Sequence, residues 1–179
     1  EVLKYIEFRS SKHILDIGTG SGCILISILK ERPECHGTAI DISKKAIKVA
    51  ISNAKMHHLK NKVKLVNIDI DKLYIKKYDF IVSNPPYISL NNIKRLEKNV
   101  KMYEPIKALE AGLDGLREIK KLIRKSTKLL KRNGKLIFEI GHDQERKVNK
   151  LLKKNNFYIN KVCKDIQSYP RVIVSTKLN

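Results

Sequence analysis

The chain has 179 residues, 42% of them apolar, which is enough for one substantial core and excludes disordered and collagen-like classes. Lys and Arg number 38 against 18 Asp and Glu, a formal charge of +20 that favours anionic partners, although an excess of Lys, Ile and Asn is also what an AT-rich coding bias leaves on a solvated surface. No apolar run reaches the ~20 residues that a membrane helix requires, so a soluble protein without a membrane partner is expected.

In chain order, short β-branched runs alternate with longer amphipathic stretches, the pattern of βαβ units on a mostly parallel sheet. The spacing predicts strands at His13 to Ile17, Gly37 to Ile42, Val63 to Asn67, Phe80 to Ser83 and Lys135 to Ile140, with weaker ones at Ile159 to Cys163 and Val172 to Thr176. Between them, Cys23 to Lys30, Ser43 to His57, Leu116 to Leu130 and Gln144 to Lys154 place apolar residues three and four apart, as helices packed on a sheet do. Ser43 is the expected N-cap of its helix. Asn133-Gly134 is expected to end the third helix and turn the chain into the fifth strand. The outcome is a doubly wound, Rossmann-like seven-stranded α/β sheet in one domain spanning residues 1–179, with no repeat or linker. Ile88 to Asp114, which lacks a clear period and follows a Pro-Pro pair, reads as a substrate loop.

The first strand leads into Gly18-Thr19-Gly20-Ser21-Gly22, a GxGxG loop between a strand and a helix. Its glycines let backbone amides approach a ligand at a helix N-terminus. Asp41 ends the next strand about 20 residues on, where an acidic side chain can accept hydrogen bonds from both hydroxyls of a ribose. A dinucleotide and S-adenosylmethionine both carry such a ribose, and spacing alone does not separate them. Asp69, after the third strand, is placed to meet an adenine amino group with Ile70 packed on the base; an ordinary turn aspartate is the plainer alternative.

Ser83-Asn84-Pro85-Pro86-Tyr87 follows the fourth strand and therefore lies at the same carboxyl edge. Two prolines stiffen the segment and bias the residue before each toward extended geometry. The Asn84 side-chain oxygen and the Pro85 carbonyl can each accept a hydrogen bond from one NH2 group, while Tyr87 offers a flat face to a planar amide or base. An amide or exocyclic amine is a poor nucleophile toward a sulfonium methyl, and holding both N–H bonds shifts electron density onto its nitrogen. Alignment then supplies much of the rate, and no strong base is needed. His57-His58 lies near a helix end, where adjacent side chains diverge, so no metal site is expected. The Lys-rich stretch from Lys120 to Lys131 reads as a solvated face.

These motifs resemble the class I S-adenosylmethionine-dependent methyltransferases with an Asn-Pro-Pro-Tyr motif. Those enzymes act on adenine N6 in DNA, on guanine N2 in ribosomal RNA, or on protein glutamine N5. Tyr103-Glu104-Pro105, Ala108-Leu109, Ala111 through Leu116, Phe138 through Gln144, and Lys164-Asp165 with Pro170-Arg171-Val172 resemble the release-factor glutamine N5-methyltransferases of the HemK/PrmC type. The resemblance runs from His13 to Thr176. It implies S-adenosyl-L-methionine as cofactor, bound by Gly18, Thr19, Gly20, Ser21, Gly22, Asp41, Asp69, Ile70 and Asn84. It further implies Asn84, Pro85 and Tyr87 in catalysis, and Asn84, Pro85, Pro86 and Tyr87 at the substrate. That substrate is the glutamine of the Gly-Gly-Gln tripeptide of peptide-chain release factors.

The family's N-terminal helical domain is absent from these residues, and Ala111-Gly112 stands where the family often has Gly-Gly. Because the first residue is Glu1, the chain is expected to begin inside a longer product or after a removed segment. Three cysteines without CxxC spacing, Cys23, Cys35 and Cys163, and no secretory leader point to the cytoplasm. Two alternatives stay open: an exocyclic-amine methyltransferase acting on RNA or DNA near the ribosome, encouraged by the +20 charge, and a non-catalytic nucleotide-binding or RNA-binding module.

Overall fold

A computed structural model describes residues 1–73, 76–86 and 115–178. Tyr87, the stretch from Ile88 to Asp114, and the Tyr103 to Asp114 motifs lie outside them. The chain opens with a 3-10 helix, Val2–Tyr5, and continues β1 His13–Ile17, α1 Cys23–Glu31, β2 His36–Asp41, α2 Lys44–Met56, β3 Val63–Asn67, a 3-10 turn Ile70–Lys72 and β4 Tyr78–Ser83. After the second gap come α3 Arg117–Leu129, β5 Leu130–Glu139, α4 Glu145–Lys154, β6 Phe157–Lys164 and β7 Pro170–Lys177.

All seven strands form one sheet in the order β3-β2-β1-β4-β5-β7-β6. The pairs from β3 through β5 are parallel, and β7 runs antiparallel to both β5 and β6. Strand order reverses at β1, which lies between β2 and β4; such a reversal opens a crevice beyond the carboxyl ends of the strands.

Alternation along the strands sorts side chains onto two faces. Leu15, Leu136, Phe138 and Ile173 meet Ile119, Leu122 and Ile123 of α3 and Val148 and Leu152 of α4. Ile14, Ile137 and Val174 meet Leu25, Ile28 and Leu29 of α1, together with Ile6. Each such side chain, once buried, contributes about 1.5–3 kcal/mol. On the α1 face the N-terminal segment is held by Arg32, whose guanidinium donates to the Ile6 and Leu3 carbonyls at 2.8 and 2.9 Å. Ser43 caps α2 as expected, its hydroxyl accepting from the Ala46 amide at 3.2 Å.

The Asn133-Gly134 expectation is corrected. The third helix ends at Leu129, and the pair lies inside β5, where β4 advances two residues, Tyr78 to Phe80, while β5 advances five, Leu130 to Lys135. Asn133 takes φ 59° in this bulge. A Cβ on Gly134 would come within 3.1 Å of both the Lys131 and Asp79 carbonyl oxygens, so a side chain is disfavoured by close approach to backbone rather than by a helix end. Lys131 fastens the bulge to β4 through its 2.8 Å ion pair with Asp79.

Candidate functional site

One rung of the sheet organises the site. Ile17 pairs with Ile40 of β2 on one side and with Ser83 of β4 on the other. The next residue on each strand is Gly18, Asp41 or Asn84, so the glycine loop, the acidic residue and the Asn-Pro-Pro segment leave three adjacent strands at one level. Two strand spacings separate the flanking positions by roughly 10 Å. Ser83, only 4% exposed, secures this edge by donating its hydroxyl to the Ile17 carbonyl at 2.8 Å.

The glycine loop is held from β2: the Gly18 and Thr19 amides donate to the Ile40 carbonyl at 2.9 and 3.0 Å. Gly18 and Gly20 have φ of 68° and 57°, and a Cβ at either would meet no described atom within 4 Å. The loop thus uses left-handed backbone beside open space, as a cradle for a ligand does. Gly22 is different. A Cβ there would lie 3.0 Å from the Ile26 side chain and 3.2 Å from Ala50, so this glycine serves the packing of α1 on α2.

The Asp41 carboxylate accepts the Gly20 amide at 3.0 Å through one oxygen and the Ser43 amide at 2.7 Å through the other. A carboxylate has about four acceptor directions, so each oxygen keeps one for a diol. Ile42, the next residue, is 72% exposed and borders a cleft with Asn67, Ile68, Asp69 and Lys72. An exposed aliphatic beside the Asp41 carboxylate offers a surface for a planar group. The only signal in the sequence was an apolar residue directly after the strand-ending acid.

Asp69 is bound up locally. Its side chain caps the 3-10 turn through the Asp71 amide at 2.7 Å, and both oxygens accept from Lys121 of α3, at 2.7 and 2.9 Å. Partial burial pushes its carboxyl up, but the Lys121 ammonium and the Asp71 amide outweigh that and hold it below the usual range. Ile70 is 7% exposed and packs in the α3 core. The pair therefore braces the sheet against α3, and the plainer turn reading describes these contacts better than a base contact does.

Asp16 is a buried acid directly beneath the glycine loop. It is 1% exposed on the α1 face of β1; one oxygen accepts the Thr19 hydroxyl at 2.6 Å, and the other has no partner within hydrogen-bond distance among the described residues. Burial pushes its carboxyl up to about 6, against the opposing pull of the Thr19 hydroxyl and the Leu25 amide, with a small added push from Asp41. A carboxylate amid the apolar run Ile14-Leu15-Asp16-Ile17 was the sequence cue, and it passed as part of the strand.

At the acceptor edge, Asn84 is exposed, Pro85 buried and Pro86 half-buried. The neighbouring loop after β5 is clamped by Gln144, 4% exposed, which accepts the Gly141 amide and donates to the Gly115 carbonyl, both at 2.9 Å. Among the described residues no group of three His, Cys, Asp or Glu is placed to hold a metal, and no helix is long and apolar enough to cross a membrane.

Comparison with known proteins agrees with this geometry. A release factor glutamine methyltransferase from Fusobacterium nucleatum is 44% identical over 170 residues, covering 92% of this chain and 47% of that protein. A bifunctional methyltransferase from Rickettsia bellii is 42% identical over 164 residues, 91% of this chain and 30% of that protein. The chain thus spans half or less of the length of these curated relatives. Among solved structures, TrmN from Thermus thermophilus matches 99% of this chain and 47% of its own at TM-score 0.70 and 22% identity. The ribosomal protein L11 methylase from Lactobacillus delbrueckii subsp. bulgaricus matches 95% and 72% at TM-score 0.69 and 21% identity, and both likenesses concern the fold. A family model described as a methyltransferase domain matches residues 8–176, and with this match over nearly its whole length the chain belongs to the methyltransferase domain family.

Proposed function

We propose that the chain methylates the side-chain amide nitrogen, N5, of the glutamine in the Gly-Gly-Gln motif of peptide-chain release factors, in the cytoplasm, as one catalytic domain. The single observation that carries this reading is the Ile40-Ile17-Ser83 rung, which sets a ribose-type acceptor and an amide-type acceptor on two sides of one glycine loop. Support for a glutamine substrate comes from relatives named release factor glutamine methyltransferase at 36–44% identity.

The residues present fit S-adenosyl-L-methionine: open backbone at Gly18 and Gly20, spare acceptor directions on Asp41, and exposed Ile42 beside them. When bound, that cofactor supplies an electrophilic methyl on a sulfonium centre. Asp41 would hold the ribose hydroxyls, and the loop from Gly18 to Gly22 the remainder. Asn84 Oδ1 and the Pro85 carbonyl accept the two N–H bonds of the glutamine amide and orient its nitrogen, raising its electron density. Tyr87, in this reading, stacks on the amide plane, and Pro86 stiffens the segment. After transfer the surplus proton on nitrogen leaves to water, so no general base is required; positioning and electrostatic preorganisation provide the acceleration.

A second reading, methylation of an exocyclic base amine, is favoured by one feature. Arg117, Lys120, Arg124 and Lys128 are exposed at helical spacing along α3, a basic stripe of the kind that follows a phosphate backbone. Labelled S-adenosylmethionine offered in parallel to a release factor, a short Gly-Gly-Gln peptide and total RNA, with mass spectrometry of the product, separates the two. Label on glutamine is expected; label on RNA alone overturns the protein reading.

A further inference from the structure

The β6–β7 hairpin projects past the same edge of the sheet as Asn84. Strand β7 pairs Val172 with Glu139, and the Ile140 amide donates to the Arg171 carbonyl at 2.8 Å, so residues 165–169 extend beyond the carboxyl end of β5. Continuity with the acceptor edge is direct. The rings of His142, in the loop after β5, and Tyr169, in the hairpin, meet edge to face at 5.6 Å.

The tip is built to be rigid. Asp165 accepts the Gln167 and Tyr169 amides through one oxygen, at 2.9 and 3.0 Å, and Arg171 Nε through the other at 2.9 Å. The Asp165 and Ser168 amides close the turn on the Tyr169 and Asp165 carbonyls, with Ser168 at φ 67°. Five hydrogen bonds thus fix a turn whose outermost apolar side chain, Ile166, is fully exposed at 104%, with Tyr169 at 47% beside it. Lone exposed apolar side chains are ordinary on protein surfaces. One held out on a braced turn at the rim of the candidate site is preorganised for contact, because little loop entropy remains to be lost on docking.

We propose that this tip is a docking knob for the folded body of the protein substrate, Ile166 entering an apolar hollow while the methylated loop reaches Asn84; this rests on the protein-glutamine reading above. Charge favours a polypeptide over a nucleic acid as occupant. In a chain of formal charge +20, residues 165–169 carry no basic side chain; of the basic residues that flank them, Arg171 is paired with Asp165 and Lys164 is exposed at the base of the turn. Ile166, the outermost side chain, gives a phosphate backbone nothing to bind, and Tyr169, the aromatic ring of the tip, already packs edge to face on His142.

The test compares steady-state methylation of an intact release factor with that of a short Gly-Gly-Gln peptide by the full-length protein and its Ile166→Asp and Ile166→Leu variants. The expected result is a rise of about tenfold in KM for the intact factor with Ile166→Asp at unchanged kcat, the loss of one well-packed contact. Peptide kinetics stay unchanged, and Ile166→Leu restores the factor's KM. An unaltered KM for the intact factor overturns the knob while leaving the glutamine reading standing, as does an equal loss on the peptide. If the unmodified protein methylates neither substrate, the glutamine reading falls and the knob with it.

Discussion

Asp16 and Asp69 stand near one edge of one sheet under opposite conditions. Asp69 is half-exposed, capped and paired with Lys121, which also bonds Asp71 at 3.0 Å, while Lys125 reaches Asp71 at 2.9 Å. Its proton is lost easily, and its place is explained by fastening β3 to α3. Asp16 is buried; among the described residues no cation stands against it and one oxygen has no hydrogen-bond partner, and its carboxyl is pushed up to about 6. A fold selected for stability alone has no reason to keep such a group. The difference teaches how the two acids are held: Asp69 braces the sheet through a cation, and Asp16, beneath the glycine loop, is held through the Thr19 hydroxyl of that loop.

The largest effect is expected at the candidate site. Asn84→Ala is expected to lower turnover by about 100- to 1000-fold, the usual cost of one preorganised polar contact to a reacting group. Cofactor affinity, read by calorimetry, should move little; a loss confined to affinity would reverse the assignment of roles.

Asp16 comes next and can break the comparison outright. Its carboxyl is raised in the folded state, so the folded protein binds this proton more tightly than the unfolded chain, and its contribution favours folding in acid. That contribution is lost as the pH climbs from the ordinary carboxylate value, 3.8, through about 6, a swing of about 3 kcal/mol. Asp16→Asn removes the swing. Chemical denaturation of variant and parent at pH 4 and pH 7 should show the variant gaining relative stability at the higher pH; a difference independent of pH would mean that Asp16 is not a strained acid.

Asp41→Ala is expected to weaken cofactor binding by about 30-fold, near 2 kcal/mol for two charge-assisted hydrogen bonds, with a smaller effect on turnover. Smallest of all is Lys121→Ala, which removes a half-exposed ion pair and should cost under about 1 kcal/mol in denaturant unfolding, with methyl transfer intact. A marked loss of activity there would move Asp69 from the bracing class into the working one.

The sequence showed the frame better than its fastenings. His13–Ile17 and Val63–Asn67 have the bounds that their alternation suggested, because a β-branched run bounded by turn residues has little else to become. Ser43 capped α2 because a cap is a local bond. Asn133-Gly134 was misplaced because its dipeptide chemistry suits a helix end and a bulge alike, and Asp79, 54 residues earlier, decides between them through contacts that no local window contains. The Asp69-Lys121 pair, 52 residues apart, was hidden for the same reason. Gly18, Gly20, Asp41 and Asn84 were legible as a constellation, since each follows a strand and parallel strands end at one edge. Asp16 was not, because burial is a property of what packs above a residue.

The rung through Ile40, Ile17 and Ser83 has a consequence for how such a protein can change. Because Asp41, the glycine loop and Asn84 follow consecutive hydrogen-bonded strands, their separation is quantised by the pitch of the sheet. Loop substitutions beyond the rung can alter what is recognised while leaving that ruler intact, whereas a one-residue slip between β1 and β4 would shift the acceptor by a whole residue step and turn its side chains over. On the function proposed above, the scaffold therefore lets substrate preference drift and holds the reach of the transfer constant.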